Sequence, residues 1–100
     1  MKPKLKGYKL SESADIDLED IFDYSEYHHG ISQAAKYLTD LDLVFDALVL
    51  NPQIGRKRDE IKKGLYSIPE QEHVIFYRIL KDHIRIVRVL HGSKDLPKHF

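Results

Sequence analysis

The stretch HVIFYRILKDHIRIVRVLH, residues 73–91, decides the fold. Two runs rich in β-branched and aromatic residues flank Lys81-Asp82, a dipeptide of the right length for a tight hairpin turn. If Leu80 pairs with His83, every cross-strand pair of residue numbers sums to 163, and side-chain alternation then assigns the faces. One face carries His73, Ile75, Tyr77, Ile79, Ile84, Ile86, Arg88 and Leu90, the more apolar set, suited to a helical cover. The other carries Val74, Phe76, Arg78, Leu80, His83, Arg85, Val87, Val89 and His91. Helices on one side leave Val74, Phe76, Val87 and Val89 uncovered on the other, an apolar patch rimmed by Arg78 and Arg85 of the kind that docks protein. Alternatively the C-terminal tail KDLPKHF folds back over that patch. A slip of one residue would exchange partners and faces.

Upstream of the hairpin, Leu65 to Pro69 is a further strand candidate, separated from His73 by a short polar link. From Pro52 to Lys63 the chain reads as a polar, basic connection, GRKRDEIKKG at its densest. Two helices precede it. Ser13 is a candidate N-cap with Asp15 and Asp17 in the first turn, where negative charge suits the helix dipole. Ala14, Leu18, Ile21, Phe22 and Ser25 follow at helical spacing, and Gly30 ends the helix. Ser32 restarts a second, in which Ala34, Ala35, Leu38, Leu41, Phe45 and Leu48 recur every three or four residues. Asn51-Pro52 stops it, because proline cannot continue a helix and disfavours helical geometry before itself. So short a link makes the two helices antiparallel neighbours. Lys4 to Leu10 alternates weakly and reads as an edge strand with Gly7 as a bulge. The order predicts an α+β domain: an N-terminal strand, an antiparallel helical hairpin, then a three-stranded antiparallel meander, with the helices on one face of the sheet.

Length and composition bound what this domain can do. One hundred residues make a single domain with one modest core, so any site lies on the surface or in a shallow groove. The chain has no cysteine, which excludes disulfides and thiolate metal sites and suits a reducing, cytoplasmic setting. MKPKLKGYKL lacks the apolar core of a signal peptide, and no run is long enough to span a bilayer. The net charge of zero hides a segregation: residues 1–50 hold five Lys/Arg against ten Asp/Glu, and residues 51–100 hold eleven against six. Such asymmetry suggests that one surface attracts an acidic partner; acidic helices beside a basic sheet that partly neutralise each other would look the same.

No cofactor or metal is expected. His28 and His29 project about 100° apart on a helix and cannot share an ion, and His83 and His91 are roughly 27 Å apart along one strand. No phosphate-binding glycine loop, GxSxG elbow or HExxH occurs. RNA cleavage would need a general acid, a general base and cations for the pentavalent transition state, for which His73, Arg85, His91, Lys94 and Lys98 are the candidates. Arg88, on the helix-covered face, is expected to pair with Glu19, Asp20 or Asp23. No helix presents a basic stripe to a DNA groove, so direct specific DNA binding is not expected.

Ala14, Leu18, Ile21, Tyr24, Gly30, Gln33-Ala34, Tyr37, Leu48, Asn51-Pro52 and Gly55, followed by HVIFYR and IRIVRVLHGSKDL, give an ordered set whose spacing resembles the RelE/ParE toxins of bacterial type II toxin-antitoxin systems, closest to the ParE branch. The match runs from about Tyr8 to Leu96. It implies a helical hairpin on a twisted antiparallel sheet, a cognate antitoxin whose C-terminal segment wraps the toxin in a hetero-oligomer, and DNA gyrase as the target. Antitoxin binding would then involve Leu18, Phe22, Tyr37, Leu41 and Phe45, and target binding Arg78, Arg85, His91, Lys94 and Lys98. The RelE branch cleaves ribosome-bound mRNA with two arginines and a C-terminal tyrosine. Here the first arginine position falls at Val74, the second falls near Gly92, and no tyrosine follows Tyr77. The resemblance therefore implies a binding toxin without catalytic residues, with a ribosome-dependent mRNA endonuclease or a non-toxic interaction module as alternatives.

Overall fold

The computed structural model describes residues 4–93 and residue 100. Its elements run β1 (Tyr8–Leu10), α1 (Glu12–His29), α2 (Ile31–Leu50), β2 (Arg56–Lys57), β3 (Tyr66–Glu70), β4 (His73–Ile79) and β5 (Ile84–His91). The sheet order is β1-β5-β4-β3-β2, with β1 parallel to β5 and the remaining neighbours antiparallel. The α+β class, the helical hairpin and the meander are as expected. The short exposed β2 within the basic connection is additional, because two residues carry no period to read.

The cap of α1 is Ser11 rather than Ser13. Its Oγ accepts from the Ala14 amide at 2.9 Å and donates to the Val87 carbonyl at 2.7 Å, so one side chain starts the helix and pins it to β5. That start buries Ala14, Asp17, Ile21 and Ser25 along one stripe. Gly30, at φ +87°, ends α1 and begins α2, a backbone turn that a side chain would strain. The stripe of α2 buries Ala34, Leu41, Phe45 and Leu48, of which the last three fill the core against Ile75, Tyr77, Ile84 and Ile86. Each fully buried Leu, Ile or Phe there contributes about 1.5–3 kcal/mol. Tyr8 ties β1 to the hairpin by donating to the Asp42 carboxylate.

Between β4 and β5 the expected register holds only near the turn. Ile79 pairs with Ile84, Arg78 with Arg85 and Tyr77 with Ile86; then Val87 bulges, and Phe76 pairs with Arg88, Ile75 with Val89, Val74 with Leu90 and His73 with His91. The bulge lies here and not at Gly7, whose carbonyl accepts from Ile84 just ahead of β1. It shifts side chains between faces. Val89 enters the core beneath the helices and His91 stands beside His73, whereas Leu90 joins Leu65 and Phe76 in a second cluster on the opposite face. That face is not the open patch expected. Ile61 packs on it, Arg58 lies over the Phe76 ring at 5.9 Å, and the Phe100 ring meets Phe76 edge-on at 4.8 Å, leaving Phe76 fully buried.

Candidate protein-docking groove

Where β1 stops pairing, β5 has a bare edge, and α1 covers it. Asp17 accepts from Arg88 Nε and Nη2, each at 2.8 Å, and from the Val89 amide at 2.9 Å. Arg88 therefore forms the ion pair expected of it, with Asp17 as partner in place of Glu19, Asp20 or Asp23. The carboxylate holds the guanidinium still more firmly protonated against the opposing effect of partial burial.

Beyond this strut a groove of about 780 Å³ opens. Asp20, Ile21 and Tyr24 of α1 form one wall, with Gln33 and Tyr37 of α2 beside it. Gln71 and Glu72, from the turn joining β3 to β4, and His73, Val89 and His91 complete the lining. The Tyr37 hydroxyl donates to the Glu70 carbonyl at 3.1 Å and lies 2.6 Å from His73 Nδ1. The phenol and the His73 imidazole are thus hydrogen-bonded to each other across α2 and β4. Burial, with Glu70 and Glu72 near by, pushes the Tyr37 phenol up to about 12, so it remains a protonated donor.

The His73 and His91 rings stand 5.5 Å apart and nearly perpendicular. Burial, reinforced by His91, lowers His73 below its ordinary value, which keeps it neutral at neutral pH. His91 Nδ1 accepts from the Ser93 amide at 3.1 Å, which places its proton on Nε2. Two imidazoles and a phenol could in principle move protons. The guanidinium lining the groove is held by Asp17, however, and Asp20 and Glu72 contribute negative charge, so the groove is poorly suited to a phosphoryl transition state. Among the described residues no three metal-ligating side chains converge, and no helix is long and apolar enough to cross a membrane.

The residues expected to contact the target do not form one surface. Arg78 and Arg85 oppose each other across β4 and β5, with Arg78 donating to the Lys63 carbonyl at 2.9 Å and Arg85 exposed. His91 lies in the groove at the other end of the strands, roughly 17 Å away at the usual rise per residue. Lys94 and Lys98 lie outside the described residues. Of the expected antitoxin contacts, Tyr37 lines the groove, Leu18 and Phe22 are half-buried, and Leu41 and Phe45 are core side chains with 0% and 2% exposure. Helical spacing alone could not separate a buried stripe from a groove wall. Asp20, Tyr24, Gln33 and Glu72 were not singled out as site residues, and His73 only as a candidate for RNA cleavage; the bulge at Val87 is what brings His91 to His73.

The description of the ParE toxin of the type II toxin-antitoxin system, parDE, matches residues 8–96. Among curated relatives, Toxin ParE1 of Caulobacter vibrioides is 35% identical over 95 residues, spanning 95% of this chain and 98% of that protein. Toxin ParE1 of Mycobacterium tuberculosis is 38% identical over 93 residues, spanning 92% and 95%. A solved structure titled "Chromosomal ParDE TA system from P. aeruginosa" superposes with a TM-score of 0.77 at 20% identity, covering 89% of this chain and 98% of its own, and so shares the fold. The helical hairpin, the meander and the matched segments together make this chain a member of the ParE toxin family of type II toxin-antitoxin systems.

Proposed function

We propose that the protein acts by binding DNA gyrase and trapping it on DNA, and that a cognate antitoxin seated in the groove neutralises it. Membership of the ParE family supports the toxin-antitoxin part of this reading. The observation that separates binding from catalysis is the capture of Arg88 by Asp17: the groove's guanidinium is already neutralised, beside a His73 kept uncharged. By the resemblance, the arginine positions of the related ribonucleases fall at Val74 and near Gly92, which points the same way. Arg85, exposed on the face away from the helices, is the best placed of the expected target contacts, and the antitoxin would meet Tyr37 and the half-buried Leu18 and Phe22 from the helical side.

Purified protein in a gyrase supercoiling assay, scored for linear cleaved-complex DNA, tests this. Wild type should inhibit, and R85E should need about tenfold more protein because charge reversal at a contact opposes association. Folded wild type that leaves supercoiling intact would sink the gyrase reading. Cleavage of mRNA in a translating extract would then establish a ribonuclease, and antitoxin binding without either effect would establish an interaction module.

A further inference from the structure

The groove is asymmetric in charge as well as in shape. Residues 11–50, which build the two helices, hold ten Asp/Glu against the single cation Lys36. Asp17 is engaged by Arg88 and Asp40 by Lys36, but Asp20 has no ion-pair partner among the described residues, and neither does Glu72, which lines the same groove. Arg88 adds no net positive charge because Asp17 cancels it, and burial lowers the His73 pKa, which keeps that imidazole uncharged at neutral pH. Two carboxylates from separate elements thus line the same opening with no cation among the described residues paired to them.

The floor between them is apolar and aromatic. Ile21 and Val89 are buried at its base, and the Tyr24 ring stands 63% exposed at the rim. A long cationic side chain suits such a place, because its methylene stem packs on the ring while its charge reaches a carboxylate. The volume accommodates a few side chains from one face of a peptide and not a whole helix. An acidic segment or a phosphate would be repelled by Asp20 and Glu72.

We infer that the groove takes a basic, amphipathic peptide segment, with an Arg or Lys side chain received by Asp20 and Glu72 over the Tyr24 ring. This rests on the antitoxin reading above, and it specifies the chemistry of the segment that the antitoxin must supply.

The probes are three synthetic helical peptides with one shared leucine face and flanks of Lys, Gln or Glu, titrated into the full-length protein and followed by amide NMR. The Lys peptide should bind at least about tenfold tighter than the Glu peptide and lose affinity as salt rises, with shifts centred on Ile21, Tyr24, Gln33 and Val89. The D20K/E72K variant, altered at two exposed positions and checked for an unchanged melting temperature, should reverse the order. Equal binding of the Lys and Glu peptides would overturn the inference, as would shifts centred on Arg78 and Arg85, or a doubling of mass in sedimentation that shows a second copy filling the groove. Co-expressed cognate antitoxin separates the two layers. If it binds wild type and D20K/E72K equally, the charge inference fails while the antitoxin reading stands; if it does not bind wild type, the antitoxin reading itself fails.

Discussion

Asp17 and Arg88, on elements far apart in sequence, meet through two parallel hydrogen bonds of 2.8 Å, and the same carboxylate takes the Val89 amide at 2.9 Å. The pair closes the part of β5 that β1 leaves without a partner, fixes α1 on the sheet and sets the base of the groove.

Removing the carboxylate should therefore cost more than removing the cation. In D17A the Val89 amide and a partly buried guanidinium both lose their acceptor, an expected loss of about 2–4 kcal/mol in urea unfolding. R88M leaves Asp17 bonded to Val89 and replaces the stem with a chain of similar length, so it should cost about 1–2 kcal/mol. Equal losses, or a D17A loss under about 0.5 kcal/mol, would show that the strut does not hold the fold.

Tyr77 and Gly55 give the second prediction. The buried Tyr77 hydroxyl donates to the Pro52 carbonyl at 2.8 Å and accepts from the Gly55 amide at 3.0 Å, anchoring the turn after α2. A Cβ at position 55 would collide with that hydroxyl and lie 2.7 Å from the Ser67 carbonyl. Y77F should cost about 1–3 kcal/mol by orphaning two backbone groups. G55A should cost at least as much, because it breaks the same bonds and also displaces β3. A neutral G55A would show that the turn relaxes freely.

These pairs also show what the sequence could disclose. Asn51-Pro52 was legible as a helix stop, because proline acts locally through its own backbone geometry. The helical hairpin was legible from the spacing of Ala34, Leu41, Phe45 and Leu48. The groove was not. Alternation along His83 to His91 gives no sign that Val87 will bulge, since the extra residue is accommodated by Ser11 and Asp17 of α1. One unrecognised residue moved His91 from the Arg85 face to the side of His73 and took Leu90 the other way. Cap selection failed for a related reason: Ser11 and Ser13 are equal by propensity, and the Val87 carbonyl chooses between them.

Phe100 bears on how truncations are read. Its ring packs edge-on against Phe76, which is fully buried beneath it. F100A should therefore lower stability by about 1–2 kcal/mol and raise binding of a dye specific for exposed apolar surface. Deletion of residues 92–100 should do at least as much, so activity lost on that deletion implicates target contact only if F100A retains activity. Unchanged stability in F100A would return the second sheet face to the list of open docking surfaces.

His73 carries the pH dependence. It is packed by Tyr37 of α2 and His91 of β5, with Glu72 beside it and the Asp17 carboxylate of α1 within electrostatic reach. Burial is the largest influence and His91 the next, both lowering its pKa below the ordinary 6.5, while Glu72 and Asp17 oppose them. Between that ordinary value and the lower folded value, the unfolded chain binds the proton that the folded chain refuses, so unfolding free energy rises with pH across this window. The contribution is complete above 6.5 and is lost as the pH falls through the ordinary value toward the folded one. Stability curves from pH 8 to pH 5 should show this loss in wild type and a shallower one in H73Q. An NMR titration supplies the direct check: the His73 ring should titrate below 6.5, and H91N, by removing the neighbouring positive charge that forms on acidification, should move its midpoint upward. A His73 midpoint at or above 6.5 would mean that solvent reaches the ring freely and that the groove floor is looser than its packing implies.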